Sequence, residues 1–468
     1  MTRHTFTILE KDQLRLRELL LRDGREHGAL MLCGRSTHVD PWTGEQEERA
    51  LVREIVDVGG NAFIERSPRS MTWTTDALYH LAKRSMVRDE AICIAHSHPV
   101  GQPVFSQEDN VADRESFEIV FGRVESARPH FSLVMGHDGE FAVRGYGSDL
   151  KPHPVALTRI IGDRWSVRYP GRSNGVAPLE FDRQARAFGA TSVVDLTSLR
   201  IGIAGCGGTG SAVAMLLARI GAGRLVLFDR DRVERSNISR LHLSRRADAI
   251  ARRLKVDVLT DSIAEIGVAQ SVVAMPYSVD EPECRDAVRA CDVIFGCTDD
   301  HLGRNFLNRL AHFYLIPVID LGVLIEPNAN GGYDTFDGRV TVVQPGYACQ
   351  VCRKLIETGK MREEALIRHD PALFEQQRRA GYVRGSAEPN PVVVTFTTET
   401  ASMAVNELLH RLTGFRGPDG ACSERVRRFD EVKDTDTIPG GRSVPSCKLC
   451  ARRVYDARGD MTPFLDQA

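Results

Sequence analysis

The glycine-rich turn Gly205-Cys-Gly-Gly-Thr-Gly210 constrains the fold more than any other feature, because it joins a predicted strand to a predicted helix. The strand covers residues 200–205 and the helix covers Ser211–Ile220. Glycines at such a turn let the backbone approach a phosphate, and the N-terminus of the helix attracts the phosphate charge. About 20 residues later, Asp229 ends the next predicted strand, where its carboxylate is placed to bind a ribose hydroxyl. The pattern predicts a nucleotide site.

Strands and helices continue to alternate after this turn, with further predicted strands at residues 293–295 and 316–321. Such alternation predicts an α/β, Rossmann-like domain with a parallel sheet covered on both faces. The turn alone does not identify the nucleotide. A nicotinamide-dependent oxidoreductase is one hypothesis, and binding of ATP in place of NAD would exclude it.

In the first 150 residues the predicted helices and strands do not alternate regularly, and this pattern predicts an α+β unit. An amphipathic helix (Leu14–Leu21), a buried strand (28–34), a second helix (Thr75–Arg84) and a strand ending at His98 precede a hairpin with an Asp-Gly turn. Residues 151–180 carry prolines and glycines with little periodicity. We therefore expect a first domain at residues 1–155, a linker at 156–180 and a second domain at 181–468.

Composition excludes several classes of protein. Lys and Arg number 61 against 63 Asp and Glu, so no strongly basic surface is implied and we expect no nucleic-acid partner. Neither a signal peptide nor an apolar run of membrane-spanning length is visible, so we expect a cytoplasmic protein without a membrane partner. The cysteines number 11, an odd count in a long chain, which argues against a disulfide scaffold.

Two histidines at the end of a predicted strand form a candidate metal site. His96 and His98 are at positions i and i+2, so their side chains point to the same face and converge on one ion. Ser106 and Asp109 follow, and Ser106-Gln-Glu-Asp109 is also a helix capping box. A histidine pair beside a proline is more often a simple loop. We expect the cap and the site to coexist, with Ser106 starting the helix that carries Asp109.

Joined as His-x-His-Pro-x6-Ser-x2-Asp, these residues resemble the motif of JAB/MPN (JAMM) metalloproteases, over about residues 10–150. The resemblance implies a catalytic zinc ion whose ligands are His96, His98 and Asp109. It also implies that Glu26 is the general base and that Ser106 donates a hydrogen bond to the developing oxyanion. Glu54 is an alternative base by position. Enzymes of this family cleave peptide or isopeptide bonds after ubiquitin-like C-termini.

Three further stretches accompany the glycine turn. Residues 229–240 read D-R-D-R-V-E-R-S-N-I-S-R, residues 297–300 read C-T-D-D with Arg304 and Asn308 after them, and residues 181–184 read F-D-R-Q. Together they resemble motifs of ubiquitin-activating enzymes and their bacterial relatives ThiF and MoeB. The resemblance implies ATP as the nucleotide. In that family a C-terminal glycine carboxylate attacks the α-phosphate, which gives an acyl adenylate and pyrophosphate.

The resemblance gives each matching residue a role. The nucleotide-binding residues are Gly205, Gly207, Gly208, Gly210, Asp229, Asp231, Asn237, Arg240, Lys255 and Asp299. Arg183, Arg240 and Lys255 offset the spreading negative charge, and Arg183 does so across a homodimer. Asp299 holds Mg²⁺, a hard ion that prefers carboxylate and phosphate oxygens. The alternative for Arg240 and Lys255 is a solvated basic face, since four more arginines lie at positions 245, 246, 252 and 253.

The chain departs from the family pattern at three positions. Leu241 stands where a glutamine is usual, Arg252 where a glycine is usual, and Asp300 where an asparagine is usual. The first two changes remove no charged group. Asp300 either makes the metal-binding site more acidic or has no effect.

Two CxxC pairs, Cys349-Gln-Val-Cys352 and Cys447-Lys-Leu-Cys450, lie in the predicted second domain. One pair alone is compatible with a redox centre. Two pairs supply the four thiolates of a closed tetrahedral zinc site, and similar knuckles tie the C-terminal segment to the sheet in ThiF and MoeB. We therefore expect structural zinc.

Ubiquitin-activating enzymes also carry a nucleophilic cysteine, which ThiF-like chains place in the crossover after the first CxxC pair. Residues 353–421 contain no cysteine, and Cys422 is the remaining candidate. The polar, arginine-rich residues 375–391 predict a loop over the site. If no thioester forms, activation ends at the adenylate or passes directly to a partner's thiol.

We therefore expect an α+β JAB/MPN-like domain followed by an α/β Rossmann-like ThiF/MoeB-type domain with a structural zinc site. The expected function is ATP- and Mg²⁺-dependent adenylation of the C-terminal glycine of a ubiquitin-like protein, joined to zinc-dependent cleavage, in a bacterial modification system with a conjugating enzyme as a further partner. One alternative is activation of a sulfur carrier that the first domain matures. Another is a scaffold in which one domain is catalytically silent.

Overall fold

The computed structural model describes residues 2–170, 177–269, 271–328, 330, 332–379, 391–432 and 436–466. The first unit comprises β1 (Arg3–Leu9), α1 (Glu10–Leu20), β2 (Gly28–Val39), β3 (Gln46–Asp57), β4 (Phe63–Arg66), β5 (Met71–Trp73), α2 (Asp76–Met86), β6 (Ala91–His98), α3 (Gln107–Phe121), β7 (His130–Gly136), β8 (Phe141–Tyr146), β9 (Pro152–Ile161) and β10 (Trp165–Arg168). The second comprises α4 (Asp182–Phe188), α5 (Ala190–Ser198), β11 (Arg200–Ala204), α6 (Gly208–Arg219), β12 (Arg224–Phe228), α7 (Arg246–Ile250), α8 (Lys255–Ile266), β13 (Ser271–Met275), α9 (Arg285–Ala290), β14 (Val293–Gly296), α10 (His301–Phe313), β15 (Val318–Pro327), β16 (Tyr333–Val343), α11 (Thr358–His369), α12 (Pro371–Arg379), α13 (Val394–Thr413), β17 (Glu424–Arg428) and β18 (Asp436–Thr437). The predicted loop at residues 375–391 is wrong for residues 375–379, which belong to α12, and residues 380–390 lie outside the described residues.

The sheet of the first unit closes on itself. Its strand order is β1-β3-β2-β6-β7-β8-β9-β10, and β9 also pairs with β1. Strands β2 and β6 are antiparallel with Gly28 opposite His96, so the end of β6 lies beside the start of β2. The predicted hairpin is confirmed as β7 and β8, joined at the Asp-Gly turn. The first unit is thus the predicted α+β structure.

The second unit is the predicted α/β structure. Strands β13-β12-β11-β14-β15 are parallel, and β16, β17 and β18 extend the sheet in antiparallel fashion. The predicted strand is β11 and the predicted helix is α6, and the glycine turn joins them. The small residues of α6 let it pack closely, and most of its side chains are buried. Turns that bind ligands in such sheets follow the carboxyl ends of the strands.

The predicted linker at residues 156–180 is wrong for its first part. Residues 152–161 form β9 and residues 165–168 form β10, which complete the first sheet. Two of the prolines that suggested a linker, Pro152 and Pro154, stand at the start of β9, where a strand tolerates a residue without an N–H group. Trp165 is buried, and its indole N–H donates to Oε1 of Gln344 in the second unit at 3.0 Å. Residues 171–176 lie outside the described part of the chain.

The two units share a buried interface. Leu51 and Trp165 of the first unit pack in one apolar cluster with Leu199 and Ile201 of the second. At its edge the carboxylate of Glu47 is fully buried and faces three arginines, with nitrogen–oxygen distances of 2.8 Å (Arg200), 3.3 Å (Arg49) and 3.6 Å (Arg159). A buried charge is tolerated only when it is paired in this way.

The C-terminal strap, residues 454–466, crosses this interface. The N–H of Gly459 donates to the carbonyl of Phe313 in the second unit at 2.8 Å, and the N–H of Asp460 donates to the carbonyl of Arg35 in the first at 2.7 Å. The carboxylate of Asp460 accepts hydrogen bonds from the N–H of Thr37 at 2.7 Å and from Arg289 at 2.6 Å. The strap therefore ties the two units together.

Among the helices formed by the described residues, none has the length and apolar character needed to cross a membrane.

Candidate functional site

His96, His98 and Asp109 converge at the end of β6. The centroids of the two imidazole rings are 5.1 Å apart. The Oδ1 atom of Asp109 is 3.0 Å from Nε2 of His96, and its Oδ2 atom is 3.4 Å from Nε2 of His98. One donor atom from each residue lies within 4.8 Å of the others. The structure therefore brings the three predicted ligands together.

Asp109 reaches this point because a capping box begins α3. The Oγ of Ser106 accepts a hydrogen bond from the N–H of Asp109 at 3.1 Å, and the Asp109 carboxylate accepts one from the N–H of Ser106 at 2.6 Å. The predicted cap is confirmed. The same carboxylate faces both histidines, so capping and ligand geometry coexist.

The donor set suits zinc. Two imidazole nitrogens and a carboxylate oxygen are the three protein ligands of zinc sites that keep a fourth position open. Although burial raises it, the two adjacent histidines hold the pKa of Asp109 well below its usual range, so the carboxylate is charged. The Nε2 atom of His96 is buried and makes no hydrogen bond, despite its short distance to Asp109. An ion at this position would satisfy that atom.

Glu26 lies two residues before β2, beside the histidines. Its side chain is 8% exposed. Burial raises the pKa of Glu26 above its usual value, and the nearby His96 and His98 act in the opposite direction. A raised carboxyl pKa suits a general base. Glu54, the alternative, makes a surface ion pair with Arg84, so the structure brings Glu26 and not Glu54 to the histidines.

Ser97 and His27, which no sequence motif indicated, join the end of β6 to the residue that follows Glu26. The N–H of His27 donates to Oγ of Ser97 at 3.0 Å, and the N–H of Ser97 donates to the carbonyl of His27 at 3.1 Å. The buried imidazole of His27 also lies 2.7 Å from the carboxylate of Asp23. A serine between two histidines was the one sequence signal for this coupling.

The glycine turn is closely packed on one side and open on the other. Gly205 has a φ of +88°, and a Cβ there would lie 2.7 Å from the carbonyl oxygen of Cys297. A Cβ on Gly210 would lie 1.8 Å from the carbonyl oxygen of Gly205, so both positions require glycine. A Cβ on Gly207 would meet nothing within 4 Å. Helix α6 begins at Gly208, so its unpaired N–H groups lie at the open side.

Asp229 and Lys255 meet beside this turn. The Asp229 carboxylate accepts hydrogen bonds from the N–H groups of Cys206 at 2.7 Å and of Asp231 at 2.8 Å. The Nζ of Lys255 is 2.8 Å from Asp231 and 3.7 Å from Asp229. Although burial lowers it, these carboxylates raise the pKa of Lys255. The Lys255 side chain is 12% exposed, so it does not belong to a solvated basic face.

The solvated face consists instead of arginines that precede Lys255 in the chain. Arg245 and Arg252 are 73% and 66% exposed and pair with surface carboxylates. Arg240 differs from them because its Cδ atom lies 3.6 Å from the Cβ position of Gly208, against the glycine turn. The side chain of Asn237 accepts a hydrogen bond from the N–H of Glu234 at 3.1 Å and so caps the short helical turn Arg235–Asn237.

Asp299 and Asp300 follow β14 at the same edge of the sheet. Asp299 is exposed. Asp300 caps α10, where its carboxylate accepts hydrogen bonds from the N–H of Gly303 and the hydroxyl of Thr298. Because Asp and Asn cap helices about equally well, the departure from asparagine at this position has a structural explanation.

Arg183 is not near the glycine turn of its own chain. It is exposed on α4, two residues after Phe181, whose ring packs against Gly221. Gly221 follows the C-terminal end of α6, and the glycine turn is at the other end. A helix of 12 residues is about 18 Å long, so Arg183 lies far from the other nucleotide residues of the same chain.

The four cysteines of the CxxC pairs come together. Their Sγ atoms are 3.8 Å apart for Cys349 and Cys447 and 3.6 Å apart for Cys352 and Cys450. Zinc–sulfur bonds of about 2.3 Å in a tetrahedron place sulfurs about 3.8 Å apart. Burial raises the pKa of the Cys447 thiol, but hydrogen bonds from the backbone N–H groups of Cys450 and Leu449 outweigh it and lower the pKa to about 7. These cysteines fit a zinc ion.

Cys422 lies apart from the nucleotide residues. Thr397, near the start of α13, is 3.4 Å from the Cβ position of Gly208, a contact for which the sequence had no motif. Cys422 lies 3.8 Å from Glu407, ten residues further along this helix and roughly 15 Å away. Burial raises the pKa of Cys422 to about 11, which leaves the thiol protonated and unreactive at neutral pH.

Comparison with known proteins identifies both units. Residues 181–449 match the model of the ThiF family, and residues 12–144 match that of prokaryotic homologs of the JAB domain. The SAMP-activating enzyme E1 of Haloferax volcanii is 29% identical over 267 residues, which cover 57% of this chain and 85% of that protein. Ubiquitin-like modifier-activating enzyme 5 of Culex quinquefasciatus is 25% identical, over 51% of this chain and 65% of that protein.

A further relative is the adenylyltransferase and sulfurtransferase MOCS3 of Mus musculus, 30% identical over 34% of this chain and 33% of that protein. The chain thus spans less than two thirds of the length of two of these three relatives. Among solved structures, E. coli MccB with MccA-N7isoASN has 20% sequence identity and a TM-score of 0.45, over 60% of this chain and 77% of that one. The chain belongs to the ThiF family and joins to its ThiF unit an N-terminal domain of the prokaryotic JAB type.

Proposed function

We propose that this chain uses ATP to adenylate the C-terminal glycine of a small ubiquitin-like or sulfur-carrier protein, and that its first domain cleaves bonds after such C-termini. The observation that carries the proposal is the open side of the glycine turn, with the cation of Lys255 and the carboxylate of Asp229 beside it. The names of the relatives from Haloferax and Culex support a ubiquitin-like or SAMP-type partner.

The nucleotide residues would have separate roles in adenylation. The ATP phosphates would lie at the start of α6, where unpaired N–H groups attract negative charge. Asp229 retains lone pairs that accept hydrogen bonds from ribose hydroxyls. Lys255 and Arg240 would offset charge on the α-phosphate while the glycine carboxylate attacks and pyrophosphate leaves. Asp299, exposed at the adjacent strand end, would hold Mg²⁺ on the phosphates.

A homodimer would complete this site. Arg183 lies beyond the reach of its own glycine turn, so it would act on ATP bound by a second copy of the chain. Its exposed position on α4 leaves the guanidinium accessible to such a copy. We place the protein in the bacterial cytoplasm, with a conjugating enzyme as a further partner.

The first domain would act as a zinc peptidase. His96, His98 and Asp109 would hold the ion, which supplies Lewis-acid chemistry when bound. Glu26 would take a proton from the attacking water and pass it to the amine that leaves. Ser106 can donate its hydroxyl proton to the developing oxyanion, because the cap uses this oxygen only as an acceptor.

Activation would end at the adenylate, or the acyl group would pass directly from the adenylate to a partner's thiol. Residues 353–421 contain no cysteine, and Cys422 is protonated and distant from the glycine turn. The name of MOCS3 gives a second candidate function, in which the adenylate is converted to a thiocarboxylate on a sulfur carrier. Analysis of the partner's C-terminus distinguishes the two, because sulfur transfer replaces one carboxyl oxygen by sulfur.

The proposal is tested by exchange of labelled pyrophosphate into ATP, measured with a partner that ends in Gly-Gly. Exchange should require the partner and fall by at least about tenfold in Lys255→Met, since a cation near developing charge contributes at least this much. The exposed Lys83→Met is the matched control and should exchange normally. Absence of exchange with every candidate partner would exclude the proposed activity. A chain that binds zinc but cleaves no precursor would instead have a silent first domain.

A further inference from the structure

The candidate peptidase site lies at the end of β2 that is remote from the second unit. Gly28 at the start of β2 faces His96, whereas Arg35 and Thr37 near its end contact the C-terminal strap. Just beyond β2, the indole N–H of Trp42 donates to the carbonyl of Leu225 in the second unit at 3.1 Å. The distance along β2 from Gly28 to Thr37 is roughly 30 Å.

The nucleotide residues likewise face away from the first unit. The glycine turn, Asp229 and Asp299 all follow the carboxyl ends of parallel strands. The contacts with the first unit are at the opposite edge of this sheet: Arg200 is the first residue of β11, and Asp292 directly precedes β14. From Arg200 to Gly205 the chain advances by roughly 16 Å.

The interface holds the two units in this orientation. Arg200 pairs with Glu47 at 2.8 Å, and Arg159 pairs with Asp292 at 2.7 Å, with all four side chains almost wholly buried. A single apolar cluster spans both units, and the C-terminal strap hydrogen-bonds to each. Rotation of one unit against the other would expose charges and apolar surface together, which is costly.

The length of β2 alone exceeds the reach of a partner's tail. An extended tail of six residues spans roughly 20 Å, which is shorter than the roughly 30 Å from Gly28 to Thr37, and the nucleotide residues lie beyond that end of β2, at the far edge of the second sheet. We propose that one chain binds two partner molecules at once, one at each end, and that a partner cleaved at the first site leaves the chain before it is adenylated at the second. This inference rests on the proposed function.

The two steps are chemically complete without a shared intermediate. At the first site, water adds to the carbonyl carbon of the glycine that becomes terminal, the bond from this carbon to the following nitrogen breaks, and the amine leaves with a proton. The product is a protein with a free glycine carboxylate. At the second site, an oxygen of this carboxylate bonds to the α-phosphorus of ATP as the bond to pyrophosphate breaks. The partner with the freed carboxylate must therefore leave the first site and bind at the second.

An isotope-dilution experiment tests the release. The probe is a ubiquitin-like protein extended by a short peptide beyond its Gly-Gly end and radiolabelled on its methionines. It is supplied to the full-length chain with ATP and a roughly twentyfold excess of unlabelled mature partner. Release predicts that labelled adenylate falls roughly twentyfold, because labelled and unlabelled proteins compete equally. Labelled adenylate that resists this excess would overturn the proposal.

A mixing experiment provides the second arm. Glu26→Gln, which lacks cleavage, and Asp299→Asn, which lacks adenylation, are combined at equal concentration. Release predicts that the mixture converts the extended probe to adenylate at about half the rate of the same total concentration of wild-type chain. A mixture that forms no adenylate would contradict release. Each variant is first assayed alone for its remaining half-reaction, so a failure of the proposed function is detected separately.

Binding stoichiometry completes the test. Titration calorimetry of the mature partner into the full-length chain with non-hydrolysable ATP should saturate at two partners per chain. Saturation at one partner per chain would contradict two independent sites. Such a result, with pyrophosphate exchange intact, would leave the proposed adenylation standing and remove the inference alone.

Discussion

Replacing Glu47 with glutamine tests whether buried charge fixes the two units to each other. The Glu47 carboxylate is fully buried and lies 2.8 Å from Arg200, 3.3 Å from Arg49 and 3.6 Å from Arg159. Glutamine keeps the shape and part of the hydrogen bonding but removes the charge. Arg159 and Arg200 then retain buried carboxylate partners in Asp292 and Asp40, whereas Arg49 retains only the Cys291 carbonyl at 3.4 Å.

Removal of one partner from a buried ion pair costs about 3–5 kcal/mol. Because glutamine still accepts a hydrogen bond, we expect a loss near the lower bound, about 3 kcal/mol. A chain of 468 residues has an unfolding entropy of about 1 kcal/mol per kelvin at its midpoint. If the two units unfold together, Tm should fall by about 3 °C.

The effect should depend on pH. Although burial raises it, Arg200, Arg49 and Arg159 hold the pKa of Glu47 well below its ordinary value of 4.5. A carboxyl whose folded-state pKa lies below its unfolded-state pKa stabilises the protein at neutral pH, and this stabilisation is lost as the pH falls through the folded-state pKa. The difference in unfolding free energy between wild type and Glu47→Gln should therefore shrink in acid.

The assay is urea unfolding at neutral pH and in acid, with hydrogen exchange at residues 35–49 as a local readout. Glu45→Gln is the matched control, since Glu45 is exposed on the turn that leads into the same strand. It should stay within about 0.5 kcal/mol of wild type. Equal stability of the two variants would refute the claim that this cluster secures the interface.

Three further predictions concern the candidate sites. Glu26→Gln should lower precursor cleavage by about 10²–10⁴-fold while the chain retains its zinc, measured by elemental analysis, and Glu54→Gln should cleave normally. If the two CxxC pairs hold zinc, Cys447→Ser should lower the zinc content of the chain, measured by elemental analysis, and increase hydrogen exchange in the C-terminal strap, which follows the second CxxC pair; unchanged exchange would show that the strap is anchored independently of these cysteines. Asp300→Asn should leave stability and pyrophosphate exchange unchanged, whereas Asp300→Ala should cost about 1 kcal/mol because the helix cap is lost; a loss of exchange in Asp300→Asn would instead give this carboxylate a role in metal binding.

Sequence was most informative where chemistry demands a local pattern. The turn Gly205–Gly210, the pair His96 and His98, and the two CxxC pairs each depend on residues close together in the chain, and the structure brings each group together. The capping box of α3 was likewise predictable, because a serine and an acid three residues apart satisfy it.

Sequence was least informative where distant segments meet. Nothing local distinguishes β9 and β10 from a linker, because their burial comes from β1 and from the second unit. The C-terminal strap has no motif, yet Asp460 contacts both units. The choice between Glu26 and Glu54 also required the fold, which brings only Glu26 to the histidines. Contacts of this kind depend on tertiary packing rather than on local spacing.

The proposed function requires that the second unit transfers AMP to the C-terminal glycine of a small protein. This transfer is measured directly as label that passes from ATP with a radioactive α-phosphate to a partner that ends in Gly-Gly, trapped after a single turnover. Adenylation predicts that the partner becomes labelled, that removal of its last glycine abolishes labelling, and that ATP labelled at the γ-phosphate labels nothing. Labelling from the γ-phosphate, or labelling that survives loss of the terminal glycine, would contradict it.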